Sequence, residues 1–102
     1  MPTWFIVHNE AASQFEAAVG NKMAVLQYRL AEGSITFTHT GVPSQFEGQG
    51  LGSELAHAGL EYARSKNLKV VPLCPFVADY IEKHSEFHDL LSPGDRSKLM
   101  DG

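Results

Sequence analysis

The residues best suited to chemistry lie between Ser34 and Ser65. Glu47-Gly48-Gln49-Gly50-Leu51-Gly52-Ser53 places three glycines at alternate positions. The segment before it, Ile35 to Thr40, alternates like a strand. After it, Leu51, Leu55, Ala58 and Tyr62 recur at helical intervals. A strand therefore runs into a glycine-rich turn, and the turn opens into a helix. In that order successive backbone N–H groups point outward, no side chains block the approach, and the positive end of a helix dipole stands behind them. Such a turn can cradle a diphosphate. It follows a meander instead of opening a βαβ unit, and it lacks the Lys-Ser/Thr pair of a P-loop. Both points argue against a dinucleotide fold and against a nucleoside triphosphatase. Two further side chains could carry a reaction nearby: His39, at the end of the strand, and Cys74, beyond the helix.

The elements that must position these groups can be read from periodicity. Phe5-Ile6-Val7 reads as a first strand, and Phe15 to Val19 as a second, closed by the turn Gly20-Asn21. The Glu-Ala-Ala within that second run is also compatible with a helix. Met23 to Leu30 alternates, with Ala24, Leu26, Tyr28 and Leu30 expected to face a core. Ala31-Glu32-Gly33-Ser34 is a hairpin turn. Ile35, Phe37 and His39 then share one face, and Thr36, Thr38 and Thr40 the other. Lys66-Asn67 should end the long helix, with Leu68 folding back onto its last turn. Lys69 to Leu73 reads as a buried strand in which Pro72 interrupts the ladder. Val77, Tyr80, Ile81 and His84 suit a short helix, and Phe87, Leu90 and Leu91 one more apolar turn. The fold class expected is α/β (α+β): a mixed, mostly antiparallel sheet with one long helix and short C-terminal helices.

The chain of 102 residues supports one core. A single domain is expected over 1–92, with 93–102 a frayed tail around Pro93-Gly94. No apolar run reaches the roughly 18–20 residues of a membrane span, and the N-terminal segment does not read as a secretion signal. One cysteine fits a reducing, cytoplasmic setting. A formal charge of −4 argues against a broad nucleic-acid face. His84 and His88, four apart, could join Cys74 around zinc. No further ligand stands at a recognisable spacing, so no metal is expected.

At the glycine turn the chain resembles the GNAT superfamily of acetyl-CoA-dependent N-acetyltransferases, whose Arg/Gln-x-x-Gly-x-Gly/Ala signature falls at the start of a long helix. Gly50 and Gly52 match its two small residues, and Glu47 departs from its leading position. A closer resemblance, over residues 5 to 92, is to a minimal subgroup of about a hundred residues that lacks the helices after the first strand. It rests on Tyr28-Arg29, on His39-Thr40-Gly41-Val42-Pro43, on Val70-Val71-Pro72-Leu73-Cys74-Pro75-Phe76, and on Tyr80-Ile81 followed by His84. Gly41 stands where that subgroup more often has a charged residue.

The resemblance implies an acetyl-CoA-binding N-acetyltransferase whose fourth and fifth strands run parallel and splay apart. It places Val42 and Pro43 on one lip of the splay and Cys74 and Pro75 on the other. Glu47, Gly48, Gln49, Gly50, Leu51, Gly52 and Ser53 would form the coenzyme turn. The two prolines, which lack an N–H where pairing must stop, support a splay independently. The Val42 N–H could polarise the thioester carbonyl. His39 is the best base by intrinsic pKa, about 6.5. Cys74 could protonate the departing thiolate or take the acetyl group itself. The partners implied are acetyl-CoA and an amine, small or on a protein, with no nucleic acid, membrane or metal. A non-catalytic acyl-CoA-binding module is the alternative.

Overall fold

The computed structural model describes residues 4–91. Five strands form one sheet in chain order: β1 (Val7–Asn9), β2 (Gln14–Val19), β3 (Lys22–Ala31), β4 (Ser34–Gly41) and β5 (Lys69–Pro72). The first four pair antiparallel, and β5 lies parallel to β4. A helix, α1 (Leu51–Ser65), crosses between β4 and β5, and a shorter one, α2 (Pro75–Lys83), follows. This is the mixed, mostly antiparallel α+β architecture expected from the residues.

Local chemistry explains most boundaries. Gly20 and Gly33 take left-handed backbone angles, at φ 63° and 75°, in the two tight turns joining β2 to β3 and β3 to β4. Asn67 is left-handed at the end of α1, and the Leu68 N–H reaches back to the Ala63 carbonyl at 2.9 Å. Pro75 opens α2 at a position where an N–H would have no partner. The first strand begins later than expected: Phe5 lies outside it and is 84% exposed. Leu30, expected inside, is 53% exposed near the end of β3. The expected tail, 93–102, lies outside the described residues.

One face of the sheet carries the core. Ala24, Leu26, Tyr28, Ile35, Phe37 and Val70 meet Leu51, Leu55, Leu60 and Ala63 of α1. The helix therefore buries a stripe one step round from the one read off the sequence, since Ala58 and Tyr62 are only half-buried. Gly59 permits the close approach. A Cβ there would stand 2.8 Å from Phe37 Cε1 and 2.9 Å from Leu26 Cδ2. Val77 and Ile81 of α2, then Phe87, Leu90 and Leu91, complete the cluster. The other face of the sheet is polar, with Gln27, Arg29 and His39 exposed.

Candidate active site

The site is built where two ladders fail. On β4, Gln27 pairs with His39 and Tyr28 with Phe37, so Thr38 is an extra residue, a β-bulge. The bulge reverses the side-chain alternation beyond it. Ile35 and Phe37 face the core, yet His39 turns outward beside Gln27, and Thr40 takes the core side opposite Leu26. His39 therefore does not share a face with Ile35 and Phe37, as simple alternation predicted. Its ring lies over Gly41. A Cβ at 41 would come 3.3 Å from His39 Nε2, so the absence of a side chain there leaves room for the imidazole.

On the other side of β4, pairing with β5 runs from Ser34–Lys69 to Phe37–Pro72. The last link is the Cys74 N–H to the Phe37 carbonyl at 2.9 Å. Beyond it β4 continues to Gly41 without a partner on that edge, because Pro72 and Pro75 offer no N–H and the chain turns into α2. The two strands thus part as expected. One side-chain bond spans the gap: Thr40 Oγ1 and Cys74 Sγ are 3.1 Å apart. Cys74 is 4% exposed and forms the N-cap of α2.

A groove of about 610 Å³ runs from this gap to the head of α1. Its floor and walls are Thr40, Val42, Phe46, Leu51 and Phe76, and its far end is the turn of Glu47, Gly48, Gly50, Gly52 and Ser53. Gly48 and Gly50 have φ of 83° and 89°, angles that side chains resist. Gly52 serves differently. Its φ is not left-handed, and a Cβ there would stand 2.7 Å from Phe76 Cζ. Gly52 thus makes space for an aromatic ring that walls the groove. Among the described residues, no close hydrogen bond within the chain takes up the amides of Gly48 through Ser53. The first intrahelical bond begins with Glu54 N–H to the Gly50 carbonyl. The Glu47 amide is different from its neighbours, because it bonds the Ser44 carbonyl at 3.2 Å. That bond removes it from the set expected to face a ligand. The residues present fit a diphosphate through backbone donors alone; no Lys or Arg lines the groove, and Glu47 does.

Of the site residues read from sequence, the structure brings Val42, Glu47, Gly48, Gly50, Leu51, Gly52 and Ser53 to this groove. Pro43, Gln49 and Pro75 flank it without lining it. His39 and Cys74 stand on opposite faces of the parted strands. Sequence reasoning missed Thr40, Phe46 and Phe76. For Phe76 a signal existed, since an aromatic directly after Cys-Pro at a helix start has few ways to be buried. Thr40 could not be found without the bulge. Among the described residues no group of three or more His, Cys, Asp or Glu is placed around a metal position. His84 and His88 instead bond the carbonyls of Tyr80 and Ile81 at 2.7 and 2.9 Å. No helix among the described residues is long and apolar enough to cross a membrane.

Away from the groove, His8 Nε2 meets the Tyr28 hydroxyl at 2.6 Å, stacks on Phe15 and edges Tyr62. Burial holds this imidazole below its ordinary pKa, against a smaller opposing pull from Glu10. At the C-terminal end of α1, Arg64 binds both Asp89 carboxylate oxygens at 3.1 Å and the Glu86 carbonyl at 2.6 Å, and lies over the Phe87 ring. The Arg64 guanidinium keeps the Asp89 carboxyl below its usual range.

A meander that parts from a parallel strand, with a glycine turn and helix N-terminus aimed at the parting, is the architecture of the GNAT acetyltransferases. Residues 14–90 match the family model described as GCN5-related N-acetyl-transferase. A GCN5-like protein from Staphylococcus aureus, solved by NMR in solution, superposes with a TM-score of 0.70 at 32% identity, over 90% of this chain and 91% of its own. Protein NATD1 of Xenopus tropicalis is 26% identical over 82 residues, 78% of this chain and 75% of that protein. The chain belongs to the GCN5-related N-acetyltransferase family.

Proposed function

We propose that the chain binds acetyl-CoA in the groove and transfers its acetyl group to an amine. The observation carrying this reading is the run of amides from Gly48 to Ser53 that no close bond within the chain takes up, at one end of a groove whose other end is the parted strands. Gly48, Gly50, Leu51, Gly52 and Ser53 would hold the diphosphate. Val42 and Pro43 on one lip, with Cys74 and Pro75 on the other, would flank the pantetheine arm, and Phe46 and Phe76 would shield it from water. When bound, the coenzyme supplies an activated acyl carbon. The backbone N–H of Val42 would donate to the carbonyl oxygen as charge grows there; one such donor is typically worth about 3 kcal/mol of barrier.

An ammonium ion has no lone pair, so the acceptor must lose a proton before it reacts. His39 would take that proton from the outer face of the sheet, where its imidazole is exposed. Cys74 would act from the helix face, either by protonating the departing thiolate or by taking the acetyl group first. Membership of the minimal subgroup, carried by Pro72-Leu73-Cys74-Pro75-Phe76, implies that no helix walls the acceptor side. An acceptor amine on a peptide would then fit as readily as a small molecule.

The test is to mix the protein with acetyl-CoA and follow free thiol with a panel of amines. Turnover with at least one amine is expected, together with thermal stabilisation by CoA. Cys74→Ala should abolish transfer if the thiol takes the acetyl group, and His39→Gln should shift or erase the alkaline-rising limb of the pH profile. Absence of any stabilisation by CoA would overturn the reading. Glu47 favours a second reading, a non-catalytic acyl-CoA-binding module, because an acidic residue stands at the anion end of the groove. That reading predicts CoA binding with no turnover for any amine.

A further inference from the structure

We infer that the acceptor is a linear diamine: one nitrogen reacts beside His39, an aliphatic stem lies over Val25, and the second, charged nitrogen is held by Glu16. The inference rests on the proposed reading in one respect, that the amine arrives on the face of the sheet that carries His39.

A row of residues runs straight across that face. Val7 pairs with Glu16, Glu16 with Val25, and Val25 with Gly41. The four stand side by side on neighbouring strands, on the side opposite the buried Phe15, Ala17, Ala24 and Leu26. Both helices pack on the buried side, so neither covers the row. Gly41 joins the row to His39. A Cβ at 41 would lie 3.3 Å from His39 Nε2 and 3.6 Å from Val25 Cγ2. The imidazole nitrogen and the valine methyl thus meet over a glycine, in space that a side chain would take. Glu16 stands two strands from Gly41, which at about 4.8 Å per strand is roughly 10 Å. The fold therefore sets a carboxylate and an imidazole at the two ends of one apolar step. The imidazole end is beside the parting of β4 and β5.

The carboxylate is arranged for a cation that the chain does not supply. Asn9 Nδ2 and Gln14 Nε2 both donate to Glu16 Oε2, at 2.9 and 2.6 Å. Both take the same oxygen, so Oε1 remains for another partner. The Gln14 bond, then the Asn9 bond, hold this carboxyl below its ordinary pKa against a smaller effect of desolvation. Among the described residues no Lys or Arg pairs with it; the ion pairs are His57–Glu61, Arg64–Asp89 and Lys83–Asp79. Arg29 shares the face but stands beyond Gln27 along β3. A lone amine would use His39 and leave Glu16 idle. An amino acid lying along the row would set its own carboxylate against Glu16. A second ammonium at the end of an alkyl stem uses every member of the row.

The experiment is a titration of the isotope-labelled full chain, with CoA present and again without it. It follows the side-chain amide signals of Asn9 and Gln14 and the ring signals of His39 by NMR. The probes are hexamethylenediamine, aminohexanol, which has a hydroxyl in place of the second amine, and trimethylenediamine, which is too short to span the row. Hexamethylenediamine should bind about two- to fivefold more tightly than aminohexanol, the worth of one exposed ion pair. The preference should fade in high salt, trimethylenediamine should bind like aminohexanol, and Glu16→Gln should bring the ratio of the two longer probes to about one. Equal Kd for the two longer probes on the parent overturns the inference, and so does a preference that Glu16→Gln retains. If that variant does not fold, the three probes on the parent decide. The titration needs no turnover, so the two readings fail separately. A diamine preference with no acetylation of any amine defeats the enzymatic reading alone, and turnover of amines without the preference defeats this inference alone.

Discussion

Two glycines on α1 should respond to the same substitution in opposite ways. At Gly59, an alanine Cβ would lie 2.8 and 3.0 Å from Phe37 Cε1 and Cζ, and 2.9 Å from Leu26 Cδ2. Carbon atoms prefer about 3.5–4.0 Å, so two side chains must each give by more than half an ångström. Neither can, since Phe37 and Leu26 are both fully buried. Overpacking of this kind costs about 1–3 kcal/mol, and replacing a helical glycine by alanine returns up to about 1 kcal/mol. The net expected for Gly59→Ala is a loss of about 1 kcal/mol, which lowers Tm by about 4–8 °C in a domain of this size. At Gly52 the contact is as close, 2.7 Å to Phe76 Cζ, but that ring is 42% exposed and can swing outward. Gly52→Ala should leave Tm unchanged or slightly raised. It should also weaken CoA binding, because Phe76 is then displaced from the groove wall. Thermal melts by circular dichroism and titration calorimetry with CoA measure both. A Gly59→Ala protein melting at or above the parent would refute the packing argument. A Gly52→Ala protein that loses several degrees would show that Phe76 is not free to move.

Further outcomes follow from the site and its surroundings. Glu47→Gln should tighten CoA binding a few-fold, since removing a like charge near a solvated diphosphate is worth about 1 kcal/mol or less. The gain should shrink in high salt, and an unchanged Kd at low salt would remove Glu47 from the site. Stability should fall with pH below about 6.5, because His8 is held neutral by burial and the unfolded chain binds the proton more readily. The contribution is complete above that ordinary value and is lost as pH drops toward the lowered folded value. A melt series from pH 7.5 to 5.5 on the parent and His8→Gln checks this, with a flatter dependence expected in the variant. Arg64→Lys should lower Tm, because a lysine cannot bridge both Asp89 oxygens and the Glu86 carbonyl together. A melting temperature equal to the parent's would show that the contact adds nothing.

Much of the fold was legible because its signals are local. The change of period at Gly48–Gly52, the turns at Gly20 and Gly33, and the stop at Asn67 each depend on residues a few positions apart. Pro72 and Pro75 announce the end of pairing by what they lack. The turn end of the groove was legible for the same reason, since free amides at a helix start follow from glycines and helix geometry. The lips were less so. Val42 lines the groove, while Pro43 and Pro75 only flank it. Gly52 has a second role that no local pattern gave, because the ring that needs its space comes from Phe76, across the fold.

By itself the sequence determined that a meander feeds a glycine turn and a helix, and that a proline-interrupted strand returns beside it. Tertiary structure alone decided which face each catalytic candidate occupies. Side-chain parity along a strand is set by register with its neighbour, and a single extra residue at Thr38 inverts it. That inversion sends His39 outward and brings Thr40 to Cys74. No local pattern encodes it, because the bulge is a property of how β3 and β4 pair.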